Sequence, residues 1–275
     1  MHMKKNSNEG LGTVYERFML NNFFDRLIDT YALKDVLEVP LHGMTGLTGI
    51  NSFHFTERNC RITLVDSRKE SVSEAIDLLT ELPCTGKYSV LCRQNLHPLP
   101  FPDRSFDLVW NFSALWHLEN AKSLLAEMAR VSSNLVLVFV TNKMQMGYFL
   151  RKHFFEPGFF RTILEKWTEI ERINSLLSRA GLNLVEQGVL DVPPWPDTCF
   201  PIGKIFEKIK PRAGKSADKA ESKGFWTWDI MEHYLGRDTS LKKTIERLSF
   251  LEKLPIAWQL KALWAHHRYS LFSKA

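Results

Sequence analysis

The sequence has few of the features that mark secreted, metal-binding or membrane-spanning proteins. Its 275 residues include four cysteines, at positions 60, 84, 92 and 199, and no pair has the Cys-x-x-Cys spacing of a zinc site. The longest apolar runs are only strand-length, too short for a bilayer. Residues 1–10 are polar and lack the apolar stretch of a signal peptide. We therefore expect free thiols, no metal, no membrane span and a cytoplasmic location.

Both the content of charged residues and the net charge of the chain are modest. Charged residues make up 24% of the chain, and the net charge is +5. A nucleic-acid binder more typically concentrates its basic residues on one face, so this net charge does not indicate one. A lysine-rich stretch at 204–223 leaves an RNA-modifying enzyme open, although a solvated loop is the simpler interpretation. Length and composition fit one large globular domain, or one domain with an insertion.

Five short apolar runs alternate with helical patterns. Because these runs lack polar alternation, we expect strands buried on both faces of a parallel sheet. Apolar periodicity predicts helices at about 14–32 and 120–131, and a capping box from Ser67 to Glu70 predicts another. A poorly marked helix at about 46–57 is expected from its place after the glycine-rich turn. The alternation predicts a doubly wound α/β sheet. The predicted strands are 36–39, 61–65, 88–92, 106–110 and 135–140.

The flanking regions are less regular. Residues 1–12 are expected to be disordered, and Thr13 and Glu16 form a second possible capping box. Residues 143–171 are predicted to be mostly helical with a break at Pro157-Gly158, and residues 225–263 are predicted to be helical. Between them we expect a helix at 173–180 that ends at Gly181 and a strand at 183–190, and 266–272 could be the last strand.

Leu99-Pro-Phe-Pro-Asp-Arg-Ser-Phe-Asp-Leu-Val109, followed by Ser113-Ala-Leu-Trp-His-Leu118, resembles the class I S-adenosylmethionine-dependent methyltransferases. The likeness is closest to the small-molecule group. It covers residues 34–142 well, 174–192 moderately and 266–273 weakly. The resemblance implies a Rossmann-like, doubly wound, seven-stranded sheet, mostly parallel with an antiparallel last strand, under a helical cap. It also implies S-adenosylmethionine as cofactor and methyl transfer to a small or medium-sized, partly apolar acceptor.

The resemblance further implies how the chain is divided. Residues 1–33 are a tail and cap helix, and residues 34–196 are the core, with the helical segment 143–172 within it. Residues 197–265 are a helical insertion containing the basic linker, and 266–275 are the final core strand.

Four candidate cofactor-binding residues follow the second and third predicted strands. A carboxylate at Asp66 can accept both ribose hydroxyls, and Ser67 is its neighbour. Asn95 lies where the family usually has an acid that meets the adenine amino group, and Leu96 would add apolar contact. The alternatives are a helix cap or surface acid for Asp66 and an ordinary loop asparagine for Asn95.

The fourth strand is followed by Asn111, Phe112 and Ser113, at the edge where ligands bind in open α/β folds. The resemblance places this segment beside the methionine part of the cofactor. His117, just beyond, is a candidate general base for an O–H or N–H acceptor. The alternative is a histidine that packs against or caps a helix start.

The turn after the first strand departs from the family pattern. Glu38 keeps the strand's terminal acid and is expected to order the turn amides, but the family's glycine positions hold Pro40, His42 and Met44. Two interpretations follow. The pocket has degenerated, leaving a methyltransferase-like binding or assembly subunit, or the loop is altered and Gly43 and Gly46 take over. We favour the altered loop because a decayed site should also have lost Asp66. The cofactor-binding candidates at this turn are Glu38, Pro40, His42, Gly43 and Gly46.

Overall fold

A computed structural model describes residues 8–41, 46–84, 87–195 and 227–274. Seven strands form one sheet in the order β4-β3-β2-β5-β6-β9-β7, and β1 and β8 form a separate pair. The strands are β1 (Asn8–Gly10), β2 (Asp35–Glu38), β3 (Arg61–Asp66), β4 (Tyr88–Cys92), β5 (Phe106–Phe112), β6 (Ser132–Thr141), β7 (Leu182–Leu190), β8 (Thr227–Asp229) and β9 (His267–Lys274).

The large sheet is parallel except for one strand. Strands β2 to β6 pair in parallel, and β9 lies antiparallel between β6 and β7. Each predicted core strand is present, with ends shifted by only a few residues, and the predicted fold class is confirmed. The strand order reverses between β2 and β5, the point at which open α/β sheets bind ligands.

Helices cover both faces of the sheet. The longer helices are α1 (Leu11–Tyr31), α2 (Ile50–Glu57), α3 (Lys69–Glu81), α4 (Ala121–Val131) and α7 (Ile170–Arg179). Helices α1 to α3 share one apolar core with Trp110 and Phe112, whereas α4 and α7 share the other core with Val109 and Val136. Neighbouring residues of β5 thus point to opposite faces, which explains why its sequence shows no polar alternation.

The N-terminal region is more ordered than predicted. Strand β1 pairs with β8, and α1 begins at Leu11, so the described part of residues 1–12 is not disordered. Both predicted capping boxes are wrong. Thr13 lies inside α1, whose N-cap is Gly10, and α3 has Arg68 as an N-cap without a side-chain hydrogen bond. Gly181 follows α7 with φ of +84°, as predicted for a C-cap.

The predicted helical region at 225–263 is instead several short helices. After β8 come α8 (Ile230–Tyr234), α9 (Ser240–Leu248), α10 (Phe250–Lys253) and α11 (Trp258–Lys261). Residues 143–171 are also divided into short helices, and the predicted break at Pro157 is present, because this proline starts a new helix. This stretch contains α5 (Met146–Leu150), a π-helix (Arg151–Phe155), α6 (Pro157–Phe160) and a 3-10 turn (Glu165–Thr168).

Two further predictions concern cysteines and membrane spans. Cys60 and Cys84 are buried free thiols and Cys92 is an exposed one. Among the residues that the structure describes, no helix is long and apolar enough to cross a bilayer. The basic stretch 204–223 and Cys199 lie outside the described residues.

Candidate functional site

The carboxyl edge of the parallel strands brings the predicted site residues to one side of the sheet. Glu38 ends β2, Asp66 ends β3 and Asn111 lies near the end of β5. The Asn111 side-chain amide donates to the carbonyl of Val39 at 3.1 Å, which links β2 and β5 across the switch point. Buried polar groups need such partners, so the role of Asn111 in this structure is to join two strands.

A cavity of about 400 Å³ opens at this edge between the loop after β4 and the segment after β5. Four of the predicted site residues line it, although they come from three separate loops: Ser67, Asn95, Leu96 and His117. Its volume is in the usual range for small-molecule pockets. The structure thus brings together the ribose, adenine and base candidates that the sequence placed after successive strands.

Asp66 directly precedes Ser67 but does not itself line the cavity, and it is only 1% exposed. Its carboxylate accepts a hydrogen bond from the backbone N–H of Arg68 at 2.8 Å, and the Arg68 Nε lies 3.4 Å from the same oxygen. The Arg68 Nη2 is buried without a hydrogen-bond partner among the described residues. A carboxylate and an unsatisfied guanidinium donor are therefore adjacent, an arrangement suited to a hydroxyl-rich ligand.

His117 ends a 3-10 turn formed by Leu115–His117. Burial, together with the nearby positive charge of Arg68, lowers the pKa of His117. The imidazole is therefore neutral at pH 7 and can accept a proton. It also lies edge-on to the rings of Trp116 and Phe159. The packing role and the proton-accepting role are thus compatible.

Glu38 is buried, and its burial, reinforced by the charge of Asp66, raises its pKa to about 8. It accepts a hydrogen bond from the Ser52 hydroxyl at 2.6 Å. A carboxyl group with this pKa is mostly protonated at pH 7. Glu38 thus holds the start of α2 against the end of β2.

The turn after β2 is partly occupied by residues from the N-terminus, which the sequence did not predict. His42 and Gly43 lie outside the described residues. Gly46 has φ of +70°, and a Cβ there would overlap the Glu9 carboxylate and the Arg17 guanidinium. The backbone N–H of Leu47 donates to Glu9 at 3.2 Å.

The Glu9–Arg17 pair itself is buried. Arg17 Nη2 contacts the two Glu9 oxygens at 2.6 and 2.7 Å, and Arg17 Nη1 donates to Asn51 at 2.6 Å. The pair therefore connects β1, α1 and α2. Pro40, in the turn after β2, is buried, and the peptide bond between Val39 and Pro40 is cis. The only sequence signal for this cluster is a Glu-Arg pair at 16–17 within an otherwise apolar stretch of α1.

A second buried chain joins three distant parts of the sequence. Ser113 Oγ lies 2.9 Å from His267 Nδ1, and His267 Nε2 lies 2.8 Å from a Glu16 oxygen. Ser113 has φ of 49°, a left-handed conformation that is strained for a non-glycine residue. The Phe112 ring packs 4.6 Å from the His267 ring. Phe112 and Ser113 therefore face the core below α1 and do not line the larger cavity.

Asp191 lies beside this chain. Glu16, Asp191 and His267 each offer one ligand atom, and these atoms lie within 4.8 Å of one another. Burial raises the pKa of Asp191. Because both nitrogens of His267 already face protein groups, an ion here would have to displace one of those contacts. The expected absence of a metal stays a prediction.

Comparison with known proteins identifies a methyltransferase domain in part of the chain. Residues 44–138 match the family described as "Methyltransferase domain". Similar solved structures include the [4+2]-cyclase SpnF, with 17% identity, a TM-score of 0.53 and coverage of 92% of this chain and 80% of that one. The MccD protein has 15% identity, a TM-score of 0.53 and coverage of 91% and 96%.

A third similar structure is the magnesium protoporphyrin IX methyltransferase of Synechocystis PCC 6803 with bound SAH, with 12% identity, a TM-score of 0.52 and coverage of 95% and 86%. At these identities the structures show a shared fold. No curated protein sequence matches the chain. Residues 44–138 thus match a methyltransferase domain, and the chain shares the seven-stranded fold of these structures, so S-adenosylmethionine is the cofactor that the match indicates.

Proposed function

We propose that this enzyme transfers a methyl group from S-adenosylmethionine to a small or medium-sized, partly apolar acceptor. The observation that carries the proposal is the cavity at the carboxyl edge, where Ser67, Asn95, Leu96 and His117 converge next to the end of β3. Its donors and acceptors suit a nucleoside. The Asp66 carboxylate and the unsatisfied Arg68 Nη2 can form hydrogen bonds with the hydroxyl groups of a ribose. The Asn95 amide can form hydrogen bonds with the edge of a purine.

The bound cofactor supplies a methyl group already activated by a sulfonium charge. The protein must then hold the acceptor close, aligned and dry. Asp66, Ser67, Asn95 and Leu96 would hold the nucleoside. His117, whose pKa is lowered, would accept the proton of an O–H or N–H acceptor.

The partly apolar character of the acceptor is inferred from the lining of the same cavity. Leu96, Leu118 and Leu124 lie there beside the polar residues, so the cavity offers apolar contact as well as hydrogen bonds.

Calorimetry with S-adenosylhomocysteine tests the cofactor site. We expect binding by the wild type and at least roughly tenfold weaker binding by Asp66→Ala, because a charged hydrogen-bond acceptor is lost. Asp77→Ala is a matched control, since Asp77 is exposed on α3. No binding by the wild type at millimolar ligand would reject the proposal.

A methyltransferase-like scaffold without catalysis is the second candidate. The observation that favours it is the Glu9 carboxylate at the turn after β2, where it already occupies the Leu47 N–H. The similar structure called a [4+2]-cyclase illustrates that a fold alone does not determine the reaction. If the scaffold interpretation is right, S-adenosylhomocysteine will not bind the wild type and will bind a variant in which Glu9 is removed from the turn.

A cytoplasmic location belongs to the same proposal. The two buried cysteines, Cys60 and Cys84, are unpaired thiols, as is usual for proteins of reducing compartments.

A further inference from the structure

The described residues expose thirteen large apolar side chains, and ten of these lie in two short segments near the carboxyl edge of the sheet. We refer to these ten side chains as the apolar rim. In the first segment they are Met144, Met146, Phe149, Phe154 and Phe155, and in the second they are Phe250, Leu254, Ile256, Leu260 and Leu263. Single exposed apolar residues are normal, but such concentration marks an interaction surface.

The two segments start from one point in the fold. Asn142 follows the end of β6 and is buried. Its side-chain amide donates to the carbonyls of Ala262 and Ala265 at 2.6 and 2.8 Å. The first segment begins directly after Asn142 and the second ends at Leu263, so the start of one segment and the end of the other are close together.

Positive charge accompanies the rim. Residues 240–263 contain five Lys or Arg side chains and two carboxylates, a net charge of +3 against +5 for the whole chain. One of the two carboxylates, Glu252, is directed inward, where it accepts the Val192 N–H at 2.6 Å. Lys242, Lys243 and Lys253 are exposed.

The first segment adds Lys143, Arg151 and Lys152 and has no carboxylate of its own between residues 143 and 155. These three cations pair with Glu169, Glu156 and Glu165, which lie outside the segment. The uncompensated charge therefore lies in the second segment and, to a larger extent, in α9 directly before it.

This combination indicates what covers the rim. A second copy of the chain would bring two positive surfaces together, which is unfavourable. Proteins that bind the surface of an anionic bilayer insert aromatic and aliphatic side chains at the boundary between headgroups and acyl chains, and their lysines contact the anionic headgroups. We propose that the apolar rim and its lysines bind the surface of an anionic lipid bilayer, with the carboxyl edge of the sheet facing the lipid.

Vesicle flotation with the full chain tests this proposal. We expect the protein to float with vesicles of phosphatidylcholine and phosphatidylglycerol in equal parts, and much less with phosphatidylcholine alone. Leu260→Ser combined with Leu263→Ser should weaken binding at least about tenfold, because two exposed leucines can no longer enter the apolar boundary. High salt should also weaken binding.

Ile76→Ser is the matched control, since Ile76 is similarly exposed but lies on α3, away from the rim. It should float like the wild type, and all variants should melt at the same temperature. Failure of the wild type to bind anionic vesicles would overturn the proposal. So would light scattering that shows a dimer dissociated by the Leu260 and Leu263 substitutions, because the rim would then cover a second copy. Neither result depends on methyl transfer.

Discussion

Substitution of Glu9 by glutamine tests the buried ion pair that ties the N-terminus to the turn after β2. Arg17 is 1% exposed and relies on Glu9 for two short contacts at 2.6 and 2.7 Å. Removing one partner of a buried pair leaves an uncompensated charge and costs about 3–5 kcal/mol. For a chain of this size we expect the melting temperature to fall by roughly 10 °C.

The assay is urea unfolding together with thermal melting. Glu232→Gln is the control, because Glu232 pairs with Arg237 on the surface and such pairs contribute about 0–1 kcal/mol. In the double variant Glu9→Leu with Arg17→Met, both charges are removed and much of the lost stability should return. If Glu9→Gln and Glu232→Gln lose the same free energy of unfolding, the reasoning about Arg17 is refuted.

Three other predictions concern the same edge of the sheet. Glu38 has a pKa of about 8 in the folded protein and an ordinary low pKa when unfolded, so it binds more protons when folded. The free energy of unfolding should therefore fall as pH rises from about 5 to about 8, and Glu38→Gln should remove this part of the dependence in urea titrations. Gly46→Ala should lower the melting temperature, since its Cβ meets Glu9 and Arg17 at a positive φ; an unchanged melting curve would contradict that packing. Elemental analysis of the purified protein should find no stoichiometric metal, because His267 is held by Ser113 and Glu16; one equivalent of zinc lost in His267→Ala would contradict this expectation.

The apolar pattern predicted five strands of the sheet because strands buried on both faces lack polar alternation, whereas the count of seven strands came from the family resemblance. Leu135 to Val140 is apolar without interruption, and β6 extends only a few residues beyond it. The pairing of β1 with β8 was missed, because it joins Asn8 to Asp229 through three-residue strands with no periodicity. Such contacts depend on how distant segments pack, which local pattern does not encode.

The candidate site divides in the same way. Ser67, Asn95 and His117 could be predicted to converge because each follows a strand whose end lies at one edge of the sheet. The Glu9–Arg17 pair could not, since buried charges find their partners only in the folded chain. The roles of the site residues and the division of the chain into core and cap stay predictions.

The position of β9 has a consequence for synthesis of the protein on the ribosome. Strand β9 lies between β6 and β7 and pairs with both, although Asn142 and Ala265 are 123 residues apart. Until residues 267–274 emerge, the backbone groups along the apolar β6 have no partner on that side. The nascent chain therefore carries an open strand edge while about half of its 275 residues are synthesised, and such an edge is the kind of surface that chaperones shield.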